Sequence, residues 1–240
     1  MALVAKLLTE LVGTFLFFTV ISLSGPIGPL APLAIGGALM AMVYMGGHVS
    51  GAHYNPAVSL GVFLRGKLGT TELLSYWAVQ LVAAALAFSF GYLVSGHAGG
   101  IHPGRGVGAV SALAVEFVFT TALVVVILNS AASRATQGNS FYGLAIGITI
   151  VAAAFTGGPI SGGAFNPAVG FGATLASALF AGGSWSDLWL YLAGPLLGGI
   201  AGAGIHWVQV RGSEAALEPP EGHPSPGAPA PVPEGFETSR

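Results

Sequence analysis

The sequence contains no cysteine. That excludes disulfides, thiolate nucleophiles and cysteine-held metals, and it leaves the redox compartment open. Charge is nearly as scarce. Asp, Glu, Lys and Arg make up 7% of 240 residues, where a soluble domain carries roughly 25%. A chain that is 53% hydrophobic, with a mean hydropathy of +0.79, has too few polar groups to clothe a surface in water. Composition alone therefore assigns an integral membrane protein. A net charge of −2 provides no basic footprint for nucleic acid. No phosphate-binding loop, metal motif or nucleophile–base spacing is present, so no enzyme class is indicated and no cofactor is expected.

Apolar length is what the chain has in abundance. Six segments approach the roughly 20 residues needed to cross a bilayer: near 4–24, 31–49, 71–95, 107–129, 139–158 and 187–209. The first runs on past the length of a cleavable leader and lacks a small-residue cleavage site, so it is expected to be retained. Turn-rich "SGPIGP" at 24–29, "HAGGIHPGRG" at 97–106 and polar "NSAASRATQGNS" at 129–140 separate the spans. Two further apolar pieces, 55–64 and 166–176, are too short to cross. At 1.5 Å per residue each reaches roughly 15 Å, and two end to end cover about 30 Å.

Basic residues orient the chain. With six full spans and two re-entrant pieces, Lys6, Arg65, Lys67, Arg134, Arg211 and Arg240 share one side and only Arg105 lies opposite. Under the positive-inside tendency both termini are cytoplasmic, and the expected location is the cell inner (plasma) membrane. From 212 to 240 the chain turns rich in Pro and Glu and is expected to be a disordered tail.

An internal repeat carries the functional signal. "SGAHYNPAVSLG" at 50–61 and "SGGAFNPAVGFG" at 161–172 agree at seven of twelve positions, and Glu10 in "TELVGT" pairs with Glu116 in "VEFVFT". Residues 1–96 and 107–211 thus form two repeats, joined by 97–106, each with three spans and one short helix. Three is odd, so the second repeat enters the membrane upside down. The fold class is all-α: six transmembrane helices plus two re-entrant half-helices in an inverted repeat.

Asn-Pro-Ala is a helix start. Asn caps orphan N–H groups, Pro suits the first helical position, and Ala propagates the helix. Two such starts facing each other at the midplane bring two half-positive helix termini into one lumen. A cation meets repulsion there, while a neutral solute finds the amide donors of Asn55 and Asn166. The small residues before each Asn suit irregular backbone at membrane depth, which is tolerated only where it is buried or lines a cavity.

These residues resemble the major intrinsic protein family, the aquaporins and glycerol facilitators, over about 4–210. The double Asn-Pro-Ala, "GHVSGAHYNPAV", "SGGAFNPAV", Glu10, Glu116, Gln80 and "GPLLGG" at 194–199 carry the likeness. The resemblance implies a homotetramer in membrane lipid with one pore per subunit. It also implies an outer selectivity filter, which falls here on Ile35, Ala154, Gly163 and Val169. Family filters carry Arg directly after the second Asn-Pro-Ala, usually with aromatic or His partners. This chain has none of these types there. Its ring should be wider and more apolar, with passage for glycerol, urea, ammonia, hydrogen peroxide or a protonated small acid beside water. Ordinary water selectivity is the less favoured reading.

Other residues have competing readings. Glu10 and Glu116 lie within spans, where an ionisable group is a functional candidate by default. Proton coupling is one role for them; accepting backbone N–H groups of the re-entrant loops is the favoured one, as the resemblance also implies. His48 and His53 line or brace the inner vestibule, with pH gating as an alternative and metal binding disfavoured for want of further ligands. Tyr54 and Phe165 either pack the loops or touch solute. Gly13, Gly36, Gly37, Gly143, Gly147, Gly194, Gly198, Gly199 and Gly202 are expected to let helices approach closely. A secondary transporter also uses inverted repeats and broken helices, but the pore-lining charges that coupling needs are scarce.

Overall fold

A computed structural model describes residues 2–98 and 100–217. Among these the regular structure is helical. Six helices are long and apolar enough to span: α1 (Ala2–Leu23), α2 (Ala31–Ser50), α4 (Thr70–Ser95), α5 (Ala109–Ser130), α6 (Tyr142–Ser161) and α8 (Leu188–Leu217). Two are short and follow the repeated motifs: α3 (Pro56–Leu64) and α7 (Pro167–Ala181). Short 3₁₀ segments, Gly25–Leu30 (kinked at Gly28) and Arg134–Thr136, link α1 to α2 and α5 to α6.

The two halves repeat one packing scheme. α1 packs on α2 and α4, and α5 packs on α6 and α8. α2 against α6 joins the halves, and the short helices cross over: α3 lies mainly on α8, and α7 mainly on α4. Small residues make the close contacts. A β-carbon on Gly36 would fall 2.5 Å from the Gly147 carbonyl oxygen, and one on Gly199 2.5 Å from that of Ala57. Gly194, Gly198 and Gly202 face α5 in the same way. Gly13 and Gly143 instead accommodate the rings of Tyr54 and Tyr44. Gly37 departs from expectation: nothing lies within 4 Å of its β position, because it points away from the face that meets α6.

Several boundaries differ from those read in the sequence. α7 continues from 176 to Ala181, because helix-compatible residues persist until Gly182, whose φ of 67° closes the helix. α6 begins at Tyr142 and ends at Ser161, three residues later than expected at each end, because Gly162 rather than Pro159 stops it. α5 begins at Ala109 rather than 107. α8 runs to Leu217 rather than ending near 209, so the tail cannot begin at 212. Ser-Glu-Ala-Ala-Leu at 213–217 favours helix, and the first Pro comes only at 219. The rest of the expected tail, with Arg240, lies outside the described residues.

Two of the basic residues are paired with side chains of other helices. Lys6 at the start of α1 bonds Glu72 at the start of α4 at 2.7 Å. Arg65, just past α3, donates through Nε to His206 Nδ1 on α8 at 3.0 Å. Arg105 belongs to the loop between α4 and α5, at the opposite end.

Candidate functional site

The site begins where α2 and α6 stop. Gly51 and Gly162 take left-handed conformations, φ 89° and 95°, and end the two helices. The chain then crosses to the short helices through Ala52 and Tyr54, and through Gly163 and Phe165. All four have positive φ, with Tyr54 and Phe165 both at 48°. A non-glycine residue there costs on the order of 1–2 kcal/mol, so something must hold it.

Two buried carboxylates do. Glu10 on α1 accepts at Oε1 from the Ser50 hydroxyl (2.8 Å) and the His53 N–H (2.9 Å). At Oε2 it accepts from the Tyr54 N–H (2.8 Å) and Gln80 Nε2 (2.9 Å). Glu116 on α5 accepts at Oε1 from the Ser161 hydroxyl (2.7 Å) and the Ala164 N–H (2.9 Å), and at Oε2 from the Phe165 N–H (2.6 Å). Each loop thus hands its orphan N–H groups to a carboxylate from another helix of its own repeat, and both Glu side chains are fully buried. Gln80 also donates to Ser59 Oγ at 3.2 Å, which ties α4 to α3.

The two Asn residues join the loops across the midline. Asn55 Oδ1 caps the Ala57 N–H at 2.8 Å, and Asn55 Nδ2 donates to the Phe165 carbonyl at 2.9 Å. Asn166 Oδ1 caps the Ala168 N–H at 3.0 Å, and its Nδ2 donates to the Tyr54 carbonyl at 2.9 Å. Each amide has used its oxygen and one of two N–H donors. The second donor has no protein partner among the described residues, and both Asn side chains touch the central cavity. The unusual φ of Tyr54 and Phe165 thus has a use: these are the residues whose carbonyls the opposite Asn reaches. Their rings pack away, 0% and 1% exposed, with the Tyr54 hydroxyl donating to the Met42 carbonyl at 3.0 Å.

Three spaces lie in series. The central one is narrow, about 40 Å³, enough for a few waters in file. Its wall is the backbone of the two loops on one part and aliphatic side chains such as Leu39, Val43, Leu123 and Ile150 on the rest. At the Arg105 end it opens into a vestibule of about 910 Å³, and at the other into one of about 540 Å³. Ile35, Ala154 and Gly163 border both the lumen and the outer vestibule, and Val169 lines the lumen. His48 is exposed and lines the inner vestibule. His53 lies deeper than expected. It is buried, borders the lumen rather than the vestibule, and contacts Ser59 Oγ through Nδ1 at 3.0 Å, because its own N–H is held by Glu10.

Other supports were not legible in the sequence. Tyr76 on α4 donates its hydroxyl to the Ser50 carbonyl at 2.7 Å, and Tyr191 on α8 donates to that of Ser161 at 2.6 Å. They do the same work in the two repeats, but neither lies in a motif. Ser50 and Ser161 were visible as identities of the repeat, yet nothing local told that they bond a distant Glu. Among the described residues no group of three His, Asp or Glu side chains is placed to hold a metal ion.

Comparison with known proteins agrees with this geometry. The family model described as "Major intrinsic protein" matches residues 1–206. Aquaporin TIP4-2 of Zea mays is 36% identical over 213 residues, 82% of this chain and 81% of that protein. Aquaporin NIP1-1 of Zea mays is 36% identical over 177 residues, 73% and 61% of the two chains. The X-ray structure of the aquaglyceroporin from Plasmodium falciparum superimposes with a TM-score of 0.79 at 21% identity, over 90% of this chain and all of that one. Paired helix starts at the midplane, carboxylates bracing the loops and a continuous family match lead to one conclusion: this chain belongs to the major intrinsic protein family and is a multi-pass membrane channel for water and small solutes, not an enzyme.

Proposed function

We propose that this channel passes, beside water, small neutral solutes such as glycerol, urea, ammonia, hydrogen peroxide or a protonated small carboxylic acid. The observation that carries the reading is the chemistry of the outer ring. Ile35, Ala154, Gly163 and Val169 offer no cation, no aromatic ring and no side-chain donor. Ala154 and Gly163 supply little volume, so the opening is bounded mainly by aliphatic carbon and loop backbone. Such a ring selects by size more than by hydrogen bonding, and it wets less readily than a polar one.

Cation rejection rests deeper, on Asn55, Asn166 and the two helix starts behind them. The helix termini carry partial positive charge in a low-dielectric wall, while the free amide donors serve a solute oxygen. Glu10 and Glu116 act as braces in this reading, their oxygens being occupied by loop donors. Flux is downhill, without ATP, sodium or proton coupling. The working form is a homotetramer in the cell's plasma membrane, with both termini cytoplasmic; chemical crosslinking and membrane fractionation check these two points.

The deciding experiment is stopped-flow permeability of proteoliposomes to water, glycerol, urea and a weak acid, for the wild type and Val169→Arg. The added cation and its hydrated bulk should cut glycerol and urea flux about tenfold and water flux much less. Equal effects on all four would defeat the ring assignment. A wild type that passes water alone would establish the water-selective reading instead.

A further inference from the structure

We propose that the far end of α8, together with the turn that closes α3, binds the phosphate headgroup of an anionic phospholipid. Three cations meet there: Arg65 and Lys67 follow α3, and Arg211 ends the spanning part of α8. α8 starts beside Asp187, which meets His102 of the loop that carries Arg105. From there 24 residues lead to Arg211. At 1.5 Å per residue that is about 35 Å, so Arg211 stands at the opposite face of the bilayer from Arg105. Arg65 reaches the same end, because its Nε donates to His206 on α8 at 3.0 Å.

The protein leaves these charges unneutralised. An arginine only donates, so His206 accepts at Nδ1 and is the neutral imidazole. Arg65 is thus positioned by a neutral partner and keeps its charge and its remaining donors. Lys67 is exposed, while its backbone N–H closes α3 on the Val62 carbonyl at 3.1 Å. Arg211 Cζ lies 3.9 Å from the centre of the Trp207 ring, a contact that orients the guanidinium without cancelling its charge. Among the described residues no carboxylate is within ion-pair distance of any of the three.

The surface leading up to the cations fits a lipid better than a free ion. Leu197, Ile200, Gly204, Trp207 and Arg211 recur at intervals of three and four, which places them on one face of α8. Leu197, Ile200 and Trp207 are exposed, and nothing lies within 4 Å of the Gly204 β position. From Leu197 to Trp207 the stripe runs about 15 Å, half the hydrocarbon thickness. An acyl chain can lie along it while its phosphate meets the cations, with Trp207 at the level between, where interfacial aromatics belong. Arginine offers paired donors to phosphate oxygens, and lysine adds a point charge. A headgroup held by Arg65 and Arg211 also bridges the end of α3 to α8. In the orientation proposed above this is the cytoplasmic leaflet, where anionic lipids give a negative surface; the site itself does not depend on that orientation.

The test is lipid binding to the delipidated full-length channel in detergent, read by native mass spectrometry with phosphatidylglycerol and phosphatidylcholine of the same acyl chains. Both carry a phosphate, but only the first is a net anion. Wild type should bind phosphatidylglycerol about tenfold more tightly. The double variant Lys67→Gln/Arg211→Gln should cut that preference to about threefold or less, and Arg105→Gln should leave it intact. Should the double variant not purify, Lys67→Gln and Arg211→Gln singly should each lower the preference about twofold. Equal affinities in wild type, a preference undiminished by the Lys67 and Arg211 changes, or its loss in Arg105→Gln overturns the site. Glycerol phosphate that displaces phosphatidylglycerol at equal concentration identifies a free phosphate as the ligand and overturns the lipid assignment. Loss of the preference together with a change of oligomeric state shows that the cations hold a second copy of the chain, and overturns it too.

Discussion

Single side chains here act mostly by satisfying backbone. Glu10 and Glu116 have equivalent tasks, but Glu10 accepts four donors and Glu116 three; Gln80 makes the difference. Replacing either by Gln keeps the shape, but it turns one oxygen into an NH₂ that faces N–H or O–H donors. We expect a loss on the order of 3 kcal/mol for each, larger for Glu10→Gln, read as lower thermal midpoints in detergent. Equal, negligible shifts would show that the loops hold their positive φ without the carboxylates. At the midplane, Asn166→Asp keeps the cap on Ala168 but loses the donor to the Tyr54 carbonyl and puts negative charge into the lumen. Cation conductance should appear in that variant and be absent from wild type, as measured by ion flux in liposomes. The half-helix starts themselves could be read from Asn-Pro-Ala, because capping is a local matter of one side chain and the next two residues.

At the scale of elements, the joints are backbone against backbone. Gly199 touches the Ala57 carbonyl, so α3 can lie on α8 only if position 199 has no side chain. Gly199→Val should push the half-helix off its seat, with a stability loss of about 2–3 kcal/mol and reduced flux. Gly37→Ala is the control from the same class of residue. With nothing within 4 Å it should be neutral, or stabilising by up to about 1 kcal/mol through helix propensity. Thermal unfolding of the two variants in parallel decides the point. In the sequence both glycines look alike. Which face of a helix meets a neighbour depends on how two helices cross, and near-uniform hydrophobicity hides the amphipathic stripe that would mark that face in a soluble protein.

For the whole molecule, topology and shape make the channel. Two vestibules narrow to a lumen of about 40 Å³ between crossed-over repeats, so rigid-body exchange is not needed for passage. The absence of cysteine makes orientation directly testable. Single-cysteine variants Lys67→Cys and Arg105→Cys should react with an impermeant thiol reagent from opposite sides of the membrane, Arg105→Cys from outside the cell. Reaction from the same side would contradict the inverted topology. Flux should rise linearly with solute gradient and be indifferent to ionophores; saturation with gradient coupling would point to alternating access.

The sequence by itself determined the solvent the protein lives in, the number of spans, the doubled plan and the two helix starts. Each of these is written in composition, in apolar length or in a few adjacent residues, where the physics is local. Only the tertiary structure decided that each half-helix packs on the other repeat, that Tyr76 and Tyr191 brace the loops, and that His53 borders the lumen and His48 the vestibule. These depend on which residues meet after folding across separations of tens to more than a hundred positions. In a chain this uniformly apolar, little but the fold itself distinguishes a residue that faces the lumen from one that faces lipid.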